Sequence, residues 1–345
     1  MYDPLLGWAP RPHGTSKDGF IFYNSQGIRS LPLEYSFRRQ KGTVRIALFG
    51  DSLTQGAYVP FENTWGYYLE NQLKARGINA EVLNFGVGGY GIDQAYLRWK
   101  YLGYKFSPDI VILGYFEDDV KRNVNLMRAL KFSKTDIPFL KPRFILDGGQ
   151  VRLINSPTPS PEKVLQIMEH IGEWDLAKYE YFYNPKDYRH SIWLRSKFMA
   201  FALESLSRTG SHSRESRWNP YYYHPDPQRE PIQLALMIIS RFRSDVEANG
   251  GRFLVVDLPN QKVLAARLRG RMSVSPEQWK VEIPEAIPTQ PQMLEEAKMS
   301  SLDSLFVGGD LRRHYSSKAN KVVANEITKF LLGQEKLFLR RPAKR

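Results

Sequence analysis

The chain has 345 residues, 42% of them hydrophobic and 13% aromatic, which is enough apolar material for a full core in one large domain or two. It has no cysteine, and this excludes disulfides, thiolate nucleophiles and cysteine-ligated metals. Forty-nine basic against 36 acidic residues leave a net charge of +13, but the basic clusters at 38–41, 267–271 and 340–345 are scattered and no nucleic-acid module accompanies them. A solvated basic surface with no nucleic-acid partner is therefore expected.

No apolar run approaches the roughly 18 residues of a membrane span. The opening residues, Met-Tyr-Asp-Pro-Leu-Leu-Gly-Trp, lack the basic and apolar regions of a signal peptide. As written, the sequence reads as cytoplasmic. Membrane association, with a periplasmic or extracellular location, is the alternative if an upstream anchor has been removed.

Residues 1–43 read as an irregular arm rich in Pro, Gly and aromatics, among them Trp8, Pro10, Pro12, Phe20, Phe22 and Tyr23. Residues 44–49 form a nearly continuous apolar run, as expected for a strand covered on both faces of a parallel sheet. Gly50 permits a sharp turn there, and Ser52 is left at the carboxyl end of the strand, where open α/β sheets place their ligand crevices. Trp65, Tyr68, Leu69 and Leu73 recur at helical spacing, with Thr64 as N-cap and Gly77 as stop. A strand over 80–85, a helix over 92–104 and a strand over 109–116 follow. This β-α-β-α-β order predicts a parallel sheet.

From 121 to 231 the alternation lapses into an insertion that forms a cap on the substrate side. It opens with a hairpin over 143–154 that turns at Asp147-Gly148-Gly149. Its aromatics, Trp174, Tyr179, Tyr181, Phe182, Tyr183, Tyr188, Trp193, Trp218 and the run Tyr221-Tyr222-Tyr223, either fasten it to the body or form a wall on which a sugar stacks. Core elements resume with a helix over 232–249, a strand over 252–258 and a last helix over 316–332. A basic tail spans 334–345.

A serine hydroxyl needs a positioned base, usually a histidine oriented by a carboxylate. Six histidines are present. His13 lies in the arm, and His170, His190, His212 and His224 lie in the insertion. Only His314 falls in a loop that leads directly into a core helix.

Gly50-Asp51-Ser52-Leu53 matches the first block of the SGNH, or GDSL, hydrolases. Asn84-Phe-Gly-Val-Gly-Gly-Tyr-Gly91 resembles a later block, and His314 followed by Tyr-Ser-Ser-Lys-Ala-Asn resembles the last. The resemblance covers 44–120 and 232–333, looks closest to members among bacterial polysaccharide-modifying proteins, and extends to Asn24-Ser-Gln-Gly-Ile-Arg29 in the arm. It implies a flavodoxin-like three-layer α/β/α sandwich and hydrolysis or transfer of acyl esters; no cofactor is expected, and no metal either, because histidines and acids fall at no convincing ligand spacing. It also implies Ser52 as nucleophile, His314 as general base, and the backbone N–H groups of Ser52 and Gly89 as oxyanion donors.

Two positions depart from the family pattern. Asp118 stands where the third oxyanion donor is an asparagine, so its carboxyl must be protonated or stand aside, or else catalysis is weakened; Asn123 and Asn125 are the nearby substitutes. Asp310 lies four residues before His314 instead of three, which leaves Asp303 as a second candidate for the triad acid and a serine–histidine dyad as workable.

Gly86-Val-Gly-Gly-Tyr-Gly91 also fits the dinucleotide fingerprint G-x-G-x-x-G, with Glu117 and Asp118 near the end of the next strand, but that reading leaves Ser52 and His314 without a role. The expected function is thus a serine-dependent acyl-ester hydrolase acting on a small ester or an O-acylated carbohydrate. An O-acyltransferase using the same residues and a non-catalytic glycan-binding module are the alternatives.

Overall fold

The computed structural model describes residues 1–132, 135, 137–183, 229–270, 283, 285–308 and 314–334. The triad candidate Asp310, the histidines at 190, 212 and 224, the aromatics from Tyr188 to Tyr223 and the basic tail from 335 onward lie outside the described residues.

The arm contributes two short paired strands, β1 (Tyr2–Asp3) and β2 (Gly7–Trp8). The core then runs through β3 (Val44–Phe49), the one-turn helix α1 (Ser52–Gln55), α2 (Trp65–Lys74), β4 (Ala80–Asn84), α3 (Ile92–Tyr101) and β5 (Ile110–Tyr115). Helices α4 (Glu117–Asn123) and α5 (Arg128–Lys131) lead into the hairpin β6 (Arg143–Asp147) and β7 (Gln150–Ile154), followed by α6 (Pro161–Glu169). The chain returns through α7 (Arg229–Ala248), β8 (Arg252–Asp257), α8 (Gln261–Leu268) and α9 (Gln290–Met299), and closes with β9 (Phe306–Val307), β10 (His314–Tyr315) and α10 (Ser317–Leu332).

Four strands form the central sheet in the order β4-β3-β5-β8, all parallel. Because strand side chains alternate between faces, β3 sends Ala47 and Phe49 to one side and Ile46 and Leu48 to the other. The first side packs on Trp99 of α3 and Phe242 of α7; the second packs on Trp65 and Leu69 of α2 and Val323 and Ile327 of α10. This is a three-layer α/β/α sandwich. The expected N-cap on α2 is present, with Thr64 Oγ1 accepting from the Tyr67 N–H, and the hairpin turns at Gly148-Gly149. The second crossover helix stops at Tyr101, three residues short of expectation, and the chain goes on as a 3-10 turn over Gly103–Phe106.

The described insertion aromatics serve the fold. Tyr181 joins the core cluster against α3 and α7, while Tyr183 and Trp174 pack with Ile171, Val164 and Leu140.

Buried Asn320 locks the last helix to the first crossover helix. Its Oδ1 accepts from the Trp65 N–H at 3.1 Å, and its Nδ2 donates to the carbonyls of Tyr315 and Ser316 at 3.2 and 2.9 Å. Asn320→Ala is expected to lower unfolding free energy by about 2–4 kcal/mol, because it removes three bonds and strands a buried N–H. A lower denaturant midpoint at unchanged slope checks this.

Candidate active site

The serine turn is shaped by the residues around Gly50. Gly50 has φ +151°, and a Cβ there would stand 2.3 Å from Thr54 Oγ1 and 2.8 Å from the Gly114 carbonyl, so no other residue fits. Asp51, fully buried, caps α1 by accepting from the Leu53 N–H at 2.8 Å, and Ser52 follows as the first residue of that helix.

His314 reaches this turn through the short β9–β10 pair, in which His314 lies opposite Val307 and Tyr315 opposite Phe306. The buried Tyr315 hydroxyl donates to the Pro259 carbonyl at 2.8 Å. Ser316 caps α10, accepting from the Ala319 N–H. With its neighbours fixed, His314 Nε2 stands 2.9 Å from Ser52 Oγ, across 262 positions of sequence. The Tyr58 ring packs against the imidazole, centroids 4.9 Å apart, from a backbone with φ +66°. Of the other described histidines, His13 lies in a turn of the arm and His170 caps the C-terminus of α6.

The loop Gly86–Gly91 packs against the serine turn. The Val87 N–H donates to the Gly50 carbonyl at 3.1 Å, and a Cβ on Gly86 would collide with the backbone of Gln55 at 2.4 Å. Gly89 has φ +80°, and a Cβ there would lie 2.5 Å from Arg128 Nη1. A guanidinium therefore rests against the glycine expected to serve the oxyanion. This loop follows an edge strand of the sheet and closes on the serine turn, so its glycines are accounted for without a dinucleotide.

Asp118 does not take the place of a donor. Its Oδ2 accepts from Lys131 Nζ at 2.7 Å and lies 3.3 Å from Arg122 Nη2. Burial pushes the carboxyl up, but the two cations outweigh it and hold Asp118 well below the usual carboxylate range. An ionised carboxylate has no proton to donate, which removes Asp118 from the expected oxyanion hole. Burial pushes the Lys131 ammonium down to about 8, against the pull of Asp118. Asn125 is likewise committed elsewhere, donating to Glu180 and the Met127 carbonyl. Buried Asn123 accepts from the Asp93 N–H at 3.1 Å, while its Nδ2 has no partner among the described residues. Asp303 is exposed, and its Oδ1 accepts from Gln261 at 2.9 Å.

Arg122 escaped the sequence reading. Its Nη1 donates to Asp51 Oδ2 at 2.8 Å, to Asp119 Oδ1 at 2.7 Å and to the Tyr90 carbonyl at 2.9 Å. Burial and the neighbouring Asp51 charge push the Asp119 carboxyl well up, while Arg122 works against them. The spacing Asp118-Asp119-x-x-Arg122, acids one helical turn before a base, was the available signal.

Two outcomes follow. Gly89→Ala is expected to cut kcat about hundredfold in a folded protein, since the new methyl meets Arg128 and the left-handed backbone is strained; kinetics alongside circular dichroism check it. Asp118, depressed in the folded state, contributes stability that is fully present above about pH 4, the unfolded value, and is lost as pH falls through the folded value. Asp118→Asn is therefore expected to cost on the order of 2 kcal/mol at pH 7, with the gap to the parent narrowing between pH 4 and pH 2 in denaturant unfolding.

Residues 46–160 match the model of the GDSL-like lipase/acylhydrolase family. No curated protein sequence matches the chain. Among solved structures, a lipolytic protein of the G-D-S-L family from Desulfitobacterium hafniense is similar at 12% identity and TM-score 0.36, over 83% of this chain and 98% of that one. A GDSL-like lipase from Parabacteroides merdae is similar at 11% identity and TM-score 0.32, over 86% and 98%. The acetyl xylan esterase AlAXEase is similar at 13% identity and TM-score 0.31, over 84% and 100%. Likeness at this level says nothing about substrate. The segment 46–160, which carries Ser52 and the glycine loop, is thus similar to the GDSL-like lipase/acylhydrolase family.

Proposed function

We propose that the protein is a serine-dependent acyl-ester hydrolase acting on a small ester or an O-acylated carbohydrate. The 2.9 Å contact between Ser52 Oγ and His314 Nε2 carries the reading, because two groups so distant in sequence meet in the geometry a general base requires. Ser52 Oγ attacks the acyl carbonyl carbon while His314 Nε2 takes its proton. Charge gathers on the carbonyl oxygen, toward which the N–H groups of Ser52 and Gly89 are directed in this scheme. As the tetrahedral intermediate collapses, the bond to the leaving oxygen breaks and His314 returns the proton to it. Water then attacks the acyl-serine with His314 again as base, releasing the acid and restoring Ser52. A sugar hydroxyl in place of water would make the same residues an O-acyltransferase.

Without the Asp118 donor, the oxyanion relies on two backbone amides. The Arg128 guanidinium against Gly89 supplies positive charge beside them.

The test is labelling with a fluorophosphonate probe and turnover of p-nitrophenyl esters of rising chain length and of O-acetylated oligosaccharides. Ser52→Ala is expected to abolish labelling and turnover, and His314→Ala to slow both by about 10³-fold or more. A folded parent protein that neither labels nor turns over any ester overturns the assignment and favours a binding module. Release of acetylated acceptor instead of free acid identifies the transferase.

A further inference from the structure

Gly89 is buried, yet its N–H donates to nothing among the described residues, whereas the amides of Val87, Tyr90 and Gly91 in the same loop are engaged. Val87 donates to the Gly50 carbonyl, Tyr90 to the Val87 carbonyl at 3.2 Å, and Gly91 to Gln94 Oε1 at 3.4 Å. A buried, unspent N–H costs stability unless something arrives to accept it. Its direction matters more than its presence. The Gly88 carbonyl and the Gly89 N–H belong to one planar trans peptide and point in opposite directions. With glycine on both sides, little in the local chain stops that plane from rotating.

The arm supplies the stop. The buried Trp8 indole N–H donates to the Gly88 carbonyl at 3.2 Å. Trp8 is itself held on two sides. The Tyr90 hydroxyl donates to the Trp8 carbonyl at 2.6 Å, and the two rings meet edge to face at 5.6 Å. The Arg128 guanidinium lies over the Trp8 ring at 5.6 Å while its far end rests against Gly89. Further along the arm, the Leu6 carbonyl accepts from Gln94 and the Gly27 carbonyl from Arg98, both on α3, so the arm is anchored to the body.

We propose that Trp8 is a positioning residue: its indole N–H holds the Gly88 carbonyl so that the Gly89 N–H faces the oxyanion. This rests on the ester-hydrolase reading of Ser52 and extends it to the arm, which becomes part of the catalytic apparatus without touching substrate. With Asp118 unable to donate, the orientation of the remaining amides carries more of the transition-state charge.

The test uses two replacements in the full chain: Trp8→Phe, which keeps a ring and loses the donor, and 3-benzothienylalanine at position 8, which keeps the shape and puts sulfur in place of the N–H. Expected for both is about a tenfold fall in kcat with KM within about twofold, and a parallel weakening of a trifluoromethyl ketone that mimics the tetrahedral intermediate. The unfolding midpoint of the benzothienyl protein is expected to stay near the parent's. Unchanged kcat and unchanged inhibitor affinity in the benzothienyl protein, with the parent showing Ser52-dependent turnover, overturns the positioning role alone. Equal losses in KM, kcat and unfolding midpoint also overturn it, leaving a structural role. A parent protein without Ser52-dependent turnover overturns both this inference and the reading beneath it.

Discussion

The carboxyl ends of three adjacent strands bear the serine turn after β3, the glycine loop after β4 and the acidic helix α4 after β5, and one buried guanidinium reaches all three. Arg122 Nη1 donates to Asp51 beside the serine, to the Tyr90 carbonyl in the glycine loop and to Asp119 in its own helix. Burying a cation with several carboxylates is expensive unless each polar atom finds its partner at good geometry. Such a cluster tolerates few alternative arrangements. The spacing between the serine turn and the glycine loop is thereby fixed by a buried ionic cluster.

A second cation-rich layer surrounds the first. Lys131 and Arg122 hold Asp118 ionised, and the Arg128 guanidinium lies over the rings of both Trp8 and Phe132 and against Gly89. An asparagine at this position would carry a side-chain donor. Aspartate in its place gathers Lys131 and Arg122 about one carboxylate, so local charge stands where a directed hydrogen-bond donor would be.

The arm shows how a segment with little regular structure acquires a defined place. Arg29, fully buried, bonds through its backbone N–H to the Asn84 carbonyl at the end of β4 and through Nη2 to the Val59 carbonyl beyond the serine helix. Tyr23 accepts from Gln55 of that same helix. These polar anchors, together with Trp8 and Leu6 in the main core cluster, bring the arm against both loops of the site.

The sequence alone was enough to place the parallel sheet, because buried strands carry unbroken apolar runs and crossover helices carry their own period. It was enough to single out Gly50, Ser52 and His314, because a strand-ending glycine before a serine and a histidine just ahead of a core helix are local features. It overextended Asp118 into the oxyanion hole, offered for Arg122 only the helical spacing from Asp118 and Asp119, and had no means of seeing Arg128, Tyr58 or Trp8 as neighbours of the site. Only tertiary structure decided those. The charge state of Asp118 depends on cations four and thirteen residues away that meet it through the turn of α4 and the placement of α5. Trp8 meets Gly88 across 80 positions, and His314 meets Ser52 across 262. Local pattern records which face of an element is buried; it holds no record of which distant atom will be waiting there.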